Sequence, residues 1–268
     1  MKTVDMASYN DILPINKLYQ IAEENTDTYR HATPHAHGVF DDVFDPTVLH
    51  SILKEFDLRE KEQWKEFDTK YEKKLQLNCD ENLGPATRAL IHNLNSGSFL
   101  TFLEKLTGIS GLIADPYLSG GGLHKIEPGG KLGIHVDFNR NDKLMLYRRI
   151  NVLVYLNEDW QESYGGHFEL WSDTSGQEKK KILPIFNRMA IFNTTADSFH
   201  GHPEPLNCPP DRCRRSLALY YYTAEKGELQ SNHNHSTVFV NEKGEREELG
   251  KLTLAQRIKR KIKSLLGL

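Results

Sequence analysis

The stretch Gly133-Ile134-His135-Val136-Asp137 lies in Leu132–Phe138, where apolar and polar residues alternate as they do in a half-buried β-strand. Side chains of a strand alternate with period two, so His135 and Asp137 project from one face. An imidazole nitrogen and a carboxylate oxygen placed this way can converge on a metal ion. One more histidine from elsewhere would complete a two-histidine, one-carboxylate set with open coordination positions. Taken alone, the three-residue pattern is more often a surface histidine and aspartate near a turn. The remainder of the chain has to decide.

The chain of 268 residues is long enough for one large domain or two small ones. Its net charge of −3 argues against a general nucleic-acid binder, which carries a basic excess or patch. Cys79, Cys208 and Cys213 are odd in number and irregular in spacing, so they do not read as a disulfide framework and suggest a reducing compartment. The opening MKTVDMASYNDILP lacks the apolar core of a signal peptide. No run approaches the ~20 apolar residues that span a bilayer. A soluble, cytoplasmic protein is expected.

Residues 1–37 are polar and loop-like, with a short helix expected near Ile15–Ala22 and a strand at Gly38–Phe44. Asp45-Pro46 is a helix start, with Asp at the N-cap, Pro in the first turn, and Val48, Leu49, Ile52, Leu53 and Phe56 at helical spacing. Residues 57–82 are strongly charged and read as a solvated helix or long loop. Two further helices are expected over Pro85–Asn95 and Ser98–Leu106, the second stopped by Gly108. From about residue 112 short β-rich runs alternate with turn signals: Leu123–Ile126, Leu132–Phe138, Arg149–Leu156, His167–Trp171, Ile182–Pro184, Met189–Asn193 and Ser216–Tyr222. Helices first and strands later predict an α+β unit, an antiparallel sandwich or barrel backed by N-terminal helices. In the tail Thr253–Leu268, Leu254, Ile258, Ile262, Leu265 and Leu266 share a helix face opposite five basic residues. Such a helix docks on its own domain or a partner subunit, or lies weakly on an anionic membrane.

Three segments raise the standing of His135 and Asp137. Ser198-Phe199-His200-Gly201-His202-Pro203 follows the apolar strand Met189–Asn193 and supplies a second imidazole. His202 precedes a proline, which suggests an extended turn pointing away, so His200 is favoured. In Arg214–Tyr222 period two separates Arg214, Ser216, Ala218 and Tyr220 from Arg215, Leu217, Leu219 and Tyr221. The first set offers space and a bidentate carboxylate donor; the second suits a packed face. In Arg148–Trp160 the same alternation puts Asn151, Leu153 and Tyr155 together, and the Tyr155 hydroxyl could share a carboxylate with an arginine.

In this order the segments HVD, RRINVLVYLNEDW, GGHFELW, SFHGHPEP and RRSLALYYYT resemble the prolyl 4-hydroxylase-like branch of the 2-oxoglutarate/Fe(II)-dependent dioxygenases. The likeness covers residues 38–223 and is strongest from 112 on. It implies a double-stranded β-helix (jelly-roll) core and three regions: an N-terminal polar segment, 1–37; the dioxygenase domain with its helical N-terminal part, 38–223; and a C-terminal extension, 224–268. It implies His135, Asp137 and His200 as iron ligands. Arg214, with Ser216 and Tyr155, would hold the distal carboxylate of 2-oxoglutarate. Several relatives carry a tyrosine nine positions before the first ligand; here Ile126 stands there, and His124, two residues earlier on the same face, is the substitute candidate. The implied cofactors are Fe(II), 2-oxoglutarate as cosubstrate and O2, with ascorbate as an accessory reductant. The implied reaction hydroxylates a C–H bond and releases succinate and CO2. Related halogenases lack the carboxylate that Asp137 provides.

The branch favours a prolyl residue of a peptide or protein as substrate; a free amino acid or small metabolite is the alternative. A nucleic-acid substrate is not expected, because the chain shows no strong basic groove. A non-catalytic jelly-roll binding module is the reading from another class. Lys143–Arg148 and Trp160–Tyr164 flank the expected mouth as substrate contacts or ordinary loops. His31, His35 and His37, and His233 and His235, lack converging carboxylates or cysteines and read as surface loops.

Overall fold

The β-rich half of the chain closes around its own polar face. A computed structural model describes residues 12–58 and 63–248. The amphipathic tail expected over Thr253–Leu268 lies outside the described residues. Four helices come early: α1 (Ile15–Arg30), α2 (Pro46–Asp57), α3 (Pro85–Leu94) and α4 (Gly97–Thr107). Around and after them, among the described residues, run fifteen strands. These are β1 (His37–Phe40), β2 (Lys65–Asp68), β3 (Glu72–Leu77), β4 (Ile113–Ala114), β5 (Gly122–Ile126), β6 (Lys131–Val136), β7 (Arg140–Asn141) and β8 (Leu146–Tyr155). There follow β9 (Phe168–Trp171), β10 (Lys179–Ile182), β11 (Met189–Asn193), β12 (Phe199–His202), β13 (Arg214–Thr223), β14 (Val238–Val240) and β15 (Arg246–Glu248).

The sheet is antiparallel and curls through the order β1-β11-β8-β13-β5-β3-β6-β12-β9-β10. This is the α+β double-stranded β-helix that the sequence led us to expect. One face of β8, β11 and β13 packs on the helices: Ile150, Val152, Val154, Met189, Ile191, Leu217, Leu219 and Tyr221 join Leu49, Ile52, Phe99, Phe102 and Leu103 in one core. The other face looks inward, towards β6, β12 and β9.

The helix signals hold locally. Asp45 caps α2, accepting from the Thr47 N–H at 2.7 Å. Gly108 ends α4 at φ +74°, where a Cβ would be strained. Two boundaries differ from expectation. The first helix runs to Arg30, eight residues beyond Ala22, because Leu18, Ala22 and Tyr29 bury against the core. The strand expected over Gly38–Phe44 stops at Phe40, where its pairing with β11 ends.

The described part of the charged region expected as a solvated helix or long loop, residues 63–82, contains the hairpin β2–β3, with β3 inserted between β5 and β6. Its alternation is real but hidden by charge. Leu75 and Leu77 turn to the core, while Lys65, Phe67, Glu72, Lys74 and Gln76 line the interior cavity.

Helix α3 begins at Gly84, which offers no side-chain cap. Buried Glu55 of α2 does that work, accepting from the Ala86 and Thr87 N–H groups at 2.8 and 2.9 Å and from the Thr87 hydroxyl at 2.6 Å. Glu55→Ala leaves those donors buried and unpaired, and should lower stability by about 2 kcal/mol. The urea midpoint should fall with an unchanged slope; an unaltered midpoint would refute the role.

Candidate active site

A cavity of about 400 Å³ opens between the two halves of the curled sheet, within the usual range of small-molecule sites. His135 reaches it from β6 and Asp137 from just past that strand's end. His200 comes from β12, directly opposite His135 in the ladder. The three present ligand atoms within 4.8 Å of one another, and all three residues are buried. Each histidine is oriented in the same way. His135 Nδ1 meets the Gly133 carbonyl at 2.9 Å, and His200 Nδ1 meets the Ser198 carbonyl at 2.8 Å. A carbonyl only accepts, so Nδ1 carries the hydrogen and Nε2 is left with its lone pair towards the cluster. Phe192 and Phe168 flank the His200 ring at 4.6 and 5.9 Å, which restricts its rotation.

Asp137 is the electrostatic centre. Its Oδ2 accepts from Asn151 Nδ2 at 2.7 Å and pairs with Arg148 Nη2 at 3.0 Å. Arg148 Nε in turn donates to Asn151 Oδ1 at 2.8 Å. Burial opposes ionisation of Asp137, yet the Arg148 guanidinium outweighs it and holds the carboxyl well below the usual range. Burial lowers the pKa of His135, with His200 adding to the shift. The donor set is therefore an ionised carboxylate with an imidazole kept neutral, the form in which such groups bind a divalent ion.

The sequence reading passed over Arg148, and it placed Asn151 on the face of Tyr155 without giving it a role. Arg148 is 1% exposed, with the Tyr220 ring 3.4 Å and the Phe138 ring 4.6 Å from its guanidinium carbon. Period-two alternation from Tyr155 back to Asn151 was a usable signal for Asn151. Arg148 breaks that parity, because a bulge between Tyr221 and Tyr222 shifts the register of β13 on β8 beside it.

The strand parity of β13 holds. Arg214, Ser216 and Tyr220 line the cavity, while Leu217, Leu219 and Tyr221 enter the helix-facing core and Arg215 reaches Asp57 at 2.8 Å. His124 and Ile126 of β5 face the cavity from opposite Ser216 and Arg214. Burial lowers the pKa of His124, with Lys74 adding to it, so that ring is neutral. Tyr155 stands behind Arg214: its hydroxyl lies 3.5 Å from Nη2, and its ring packs 5.0 Å from the guanidinium carbon. Burial pushes the Tyr155 hydroxyl up to about 12, so it stays protonated. Arg214 donates to the Gly166 carbonyl at 2.8 Å and has no carboxylate partner in the described residues. A buried guanidinium without a counter-ion favours an anionic ligand.

Other expectations change. His202 does not point away: it is 3% exposed and lines the same cavity. His35 is not a surface residue, since its ring packs 6.2 Å from Phe192 and both nitrogens are shielded. Trp160 and Tyr164 pack with Leu206 and Cys208, away from the cavity wall, whereas Arg148 lines it. The loop carrying His233 and His235 is exposed, as expected, and is clamped through its backbone by Asn139.

Residues 121–222 match the model of the 2OG-Fe(II) oxygenase superfamily. No curated protein sequence matches the chain. Among solved structures, a prolyl 4-hydroxylase from Pseudomonas putida aligns with TM-score 0.54 at 15% identity, covering 78% of this chain and 98% of its own. A prolyl hydroxylase from Trichoplax adhaerens, in complex with a peptide of the hypoxia inducible factor oxygen degradation domain, aligns with TM-score 0.51 at 16% identity, covering 82% and 94%. SnoN, a non-haem α-ketoglutarate-dependent epimerase from nogalamycin biosynthesis, aligns with TM-score 0.52 at 13% identity, covering 82% and 85%. At these identities the likeness is one of fold. Among the described residues no helix is long and apolar enough to cross a membrane.

Asn151 orients Asp137, so Asn151→Leu should weaken divalent-ion binding ~10- to 100-fold. Calorimetric titration with Mn(II) would show this, with unchanged circular dichroism confirming the fold; wild-type affinity in the variant would refute the role.

Proposed function

We propose that this chain, whose residues 121–222 match the 2OG-Fe(II) oxygenase superfamily model, is a 2-oxoglutarate- and Fe(II)-dependent oxygenase that hydroxylates a prolyl residue of a peptide or protein. The observation that carries the reading is one cavity with an imidazole and carboxylate triad at one point and, among the described residues, a buried Arg214 without a carboxylate partner at another. His135, Asp137 and His200 are the residues that would hold Fe(II). Arg214 and Ser216 would hold the distal carboxylate of 2-oxoglutarate, with His124 beside them. Tyr155 acts through Arg214, fixing the guanidinium from behind.

The chemistry supplied by Fe(II), 2-oxoglutarate and O2 in such a site is oxidative decarboxylation to succinate and CO2, coupled to insertion of one oxygen atom into a C–H bond. What this chain contributes is geometry and dryness. Arg148 and Asn151 keep Asp137 ionised and pointed at the cluster. Arg214 orients the oxo acid before the reaction, which removes a rotational cost from the barrier. Phe168, Phe192, Leu153 and Phe239 form apolar wall around the donors and keep water away.

At the mouth, Phe67 comes from β2, Phe138 and Tyr220 from beside Arg148, and Ser236 and Thr237 from the C-terminal segment. Apolar ring surface beside hydroxyl groups suits a pyrrolidine in a peptide backbone. The prolyl hydroxylases among the similar folds support this choice of substrate.

A screen of proline-containing peptides, free amino acids and small metabolites for 2-oxoglutarate-dependent gain of one oxygen tests the reading. A peptide product supports it, and turnover of free metabolites alone overturns the prolyl assignment. Arg214→Ala should raise the 2-oxoglutarate requirement by ~100-fold, the cost of losing a buried charge partner. Arg215→Ala, on the opposite face, should leave it unchanged; the reverse result would place the cosubstrate elsewhere.

A further inference from the structure

His202 is buried within the cavity, yet no hydrogen bond of normal geometry satisfies either ring nitrogen, and only a weak backbone contact with Glu204 reaches the ring. Buried polar atoms in folded proteins are almost always satisfied, so an orphaned imidazole on a cavity wall marks a place where a ligand belongs. The fold aims it there deliberately. Where β12 pairs with β6, His200 stands opposite His135 but His202 stands opposite Leu132, so Gly133 and Ile134 face Gly201 alone. The bulge turns Leu132 and His135, three residues apart, to the same cavity as His200 and His202. It also needs glycine at 201, where a Cβ would lie 2.7 Å from the Leu132 and Gly133 carbonyl oxygens.

His202 lies on the Arg214 side of the triad. β12 runs along β9 with His200 opposite Leu170 and Gly201 opposite Glu169, towards Gly166, whose carbonyl accepts from Arg214; Arg214 and Lys74 line the cavity with His202. Lys74 is already paired with Glu72 at 3.0 Å. Arg214 therefore supplies the unpaired charge at this end of the cavity, and His202 the unpaired hydrogen-bonding group. In either tautomer an imidazole carries at least one N–H donor.

We infer that His202 is a positioning residue for the cosubstrate, donating a hydrogen bond to the distal carboxylate of the 2-oxo acid that Arg214 holds. This rests on the proposed function and adds a further recognition element to Arg214 and Ser216. Arg214 provides attraction, and His202 provides a directional contact from the opposite half of the sheet. The site should thus prefer a dicarboxylic oxo acid over a monocarboxylic one by more than Arg214 alone provides.

The test uses the full chain loaded with Mn(II), with calorimetric titration of 2-oxoglutarate and of 2-oxobutyrate. His202→Leu should weaken 2-oxoglutarate binding by ~10- to 100-fold, the range for a hydrogen bond to a charged group. Binding of 2-oxobutyrate and of Mn(II) should change little, and His202→Gln, which restores an N–H, should recover most of the loss. Wild-type affinity in His202→Leu overturns the inference. So does equal weakening for both oxo acids, or a parallel loss of Mn(II) affinity, which would make the role structural. A wild-type chain that binds Mn(II) but no 2-oxoglutarate overturns the proposed function itself.

Discussion

The antiparallel pairing of β12 with β6 is the contact on which the site depends. It sets His200 directly across from His135, and both rings then reach the Asp137 carboxylate. The two strands are far apart in sequence, so ordering the chain between them costs conformational entropy that the pairing alone cannot offset. The return comes from burial elsewhere. β8, β11 and β13 lie on the four-helix layer through Ile150, Val152, Val154, Ile191, Leu217 and Leu219. That apolar face anchors one half of the curled sheet, and the other half closes over it. The helices thus serve the site indirectly, by making the sheet rigid enough to hold polar groups on its opposite face.

That opposite face carries an unusual density of buried charge. Asp137 and Arg148 neutralise one another, with Asn151 bridging them, whereas among the described residues Arg214 has only the Gly166 carbonyl and the Tyr155 hydroxyl. An isolated buried charge is costly unless a partner arrives. The asymmetry gives the cavity direction: a cation-binding end at the triad and an anion-binding end at Arg214. Under the proposed function, a dicarboxylic oxo acid would span both.

The edge of β6 left open by β12 is shared by two segments that the sequence did not advertise. β3 pairs at its beginning and β14 at its end, where Phe239 stands opposite His135. Tyr71 stacks on Phe239 at 4.8 Å, and both Lys70 and Tyr71 bond to Glu247 of β15. The hairpin β2–β3 and the C-terminal hairpin are therefore joined beside the ligand-bearing strand. In sequence, 57–82 looked solvated because its polar residues face a cavity, and a polar cavity wall has the same composition as a surface.

Local rules determined much by themselves. The period-two pattern of Arg214–Tyr222 put Arg214 and Ser216 on the cavity face and Arg215 on the other, and the caps at Asp45 and Gly108 set their helix ends, since alternation and capping are properties of a few adjacent residues. Tertiary structure decided the rest. Arg148 became the partner of Asp137 through a bulge whose register depends on a neighbouring strand. His202 turned inward through another bulge, against the preference that its following proline suggested. Glu55 became the cap of a helix that begins thirty residues later. In each case the determining contact lies between residues distant in the chain, where neither spacing nor propensity carries information.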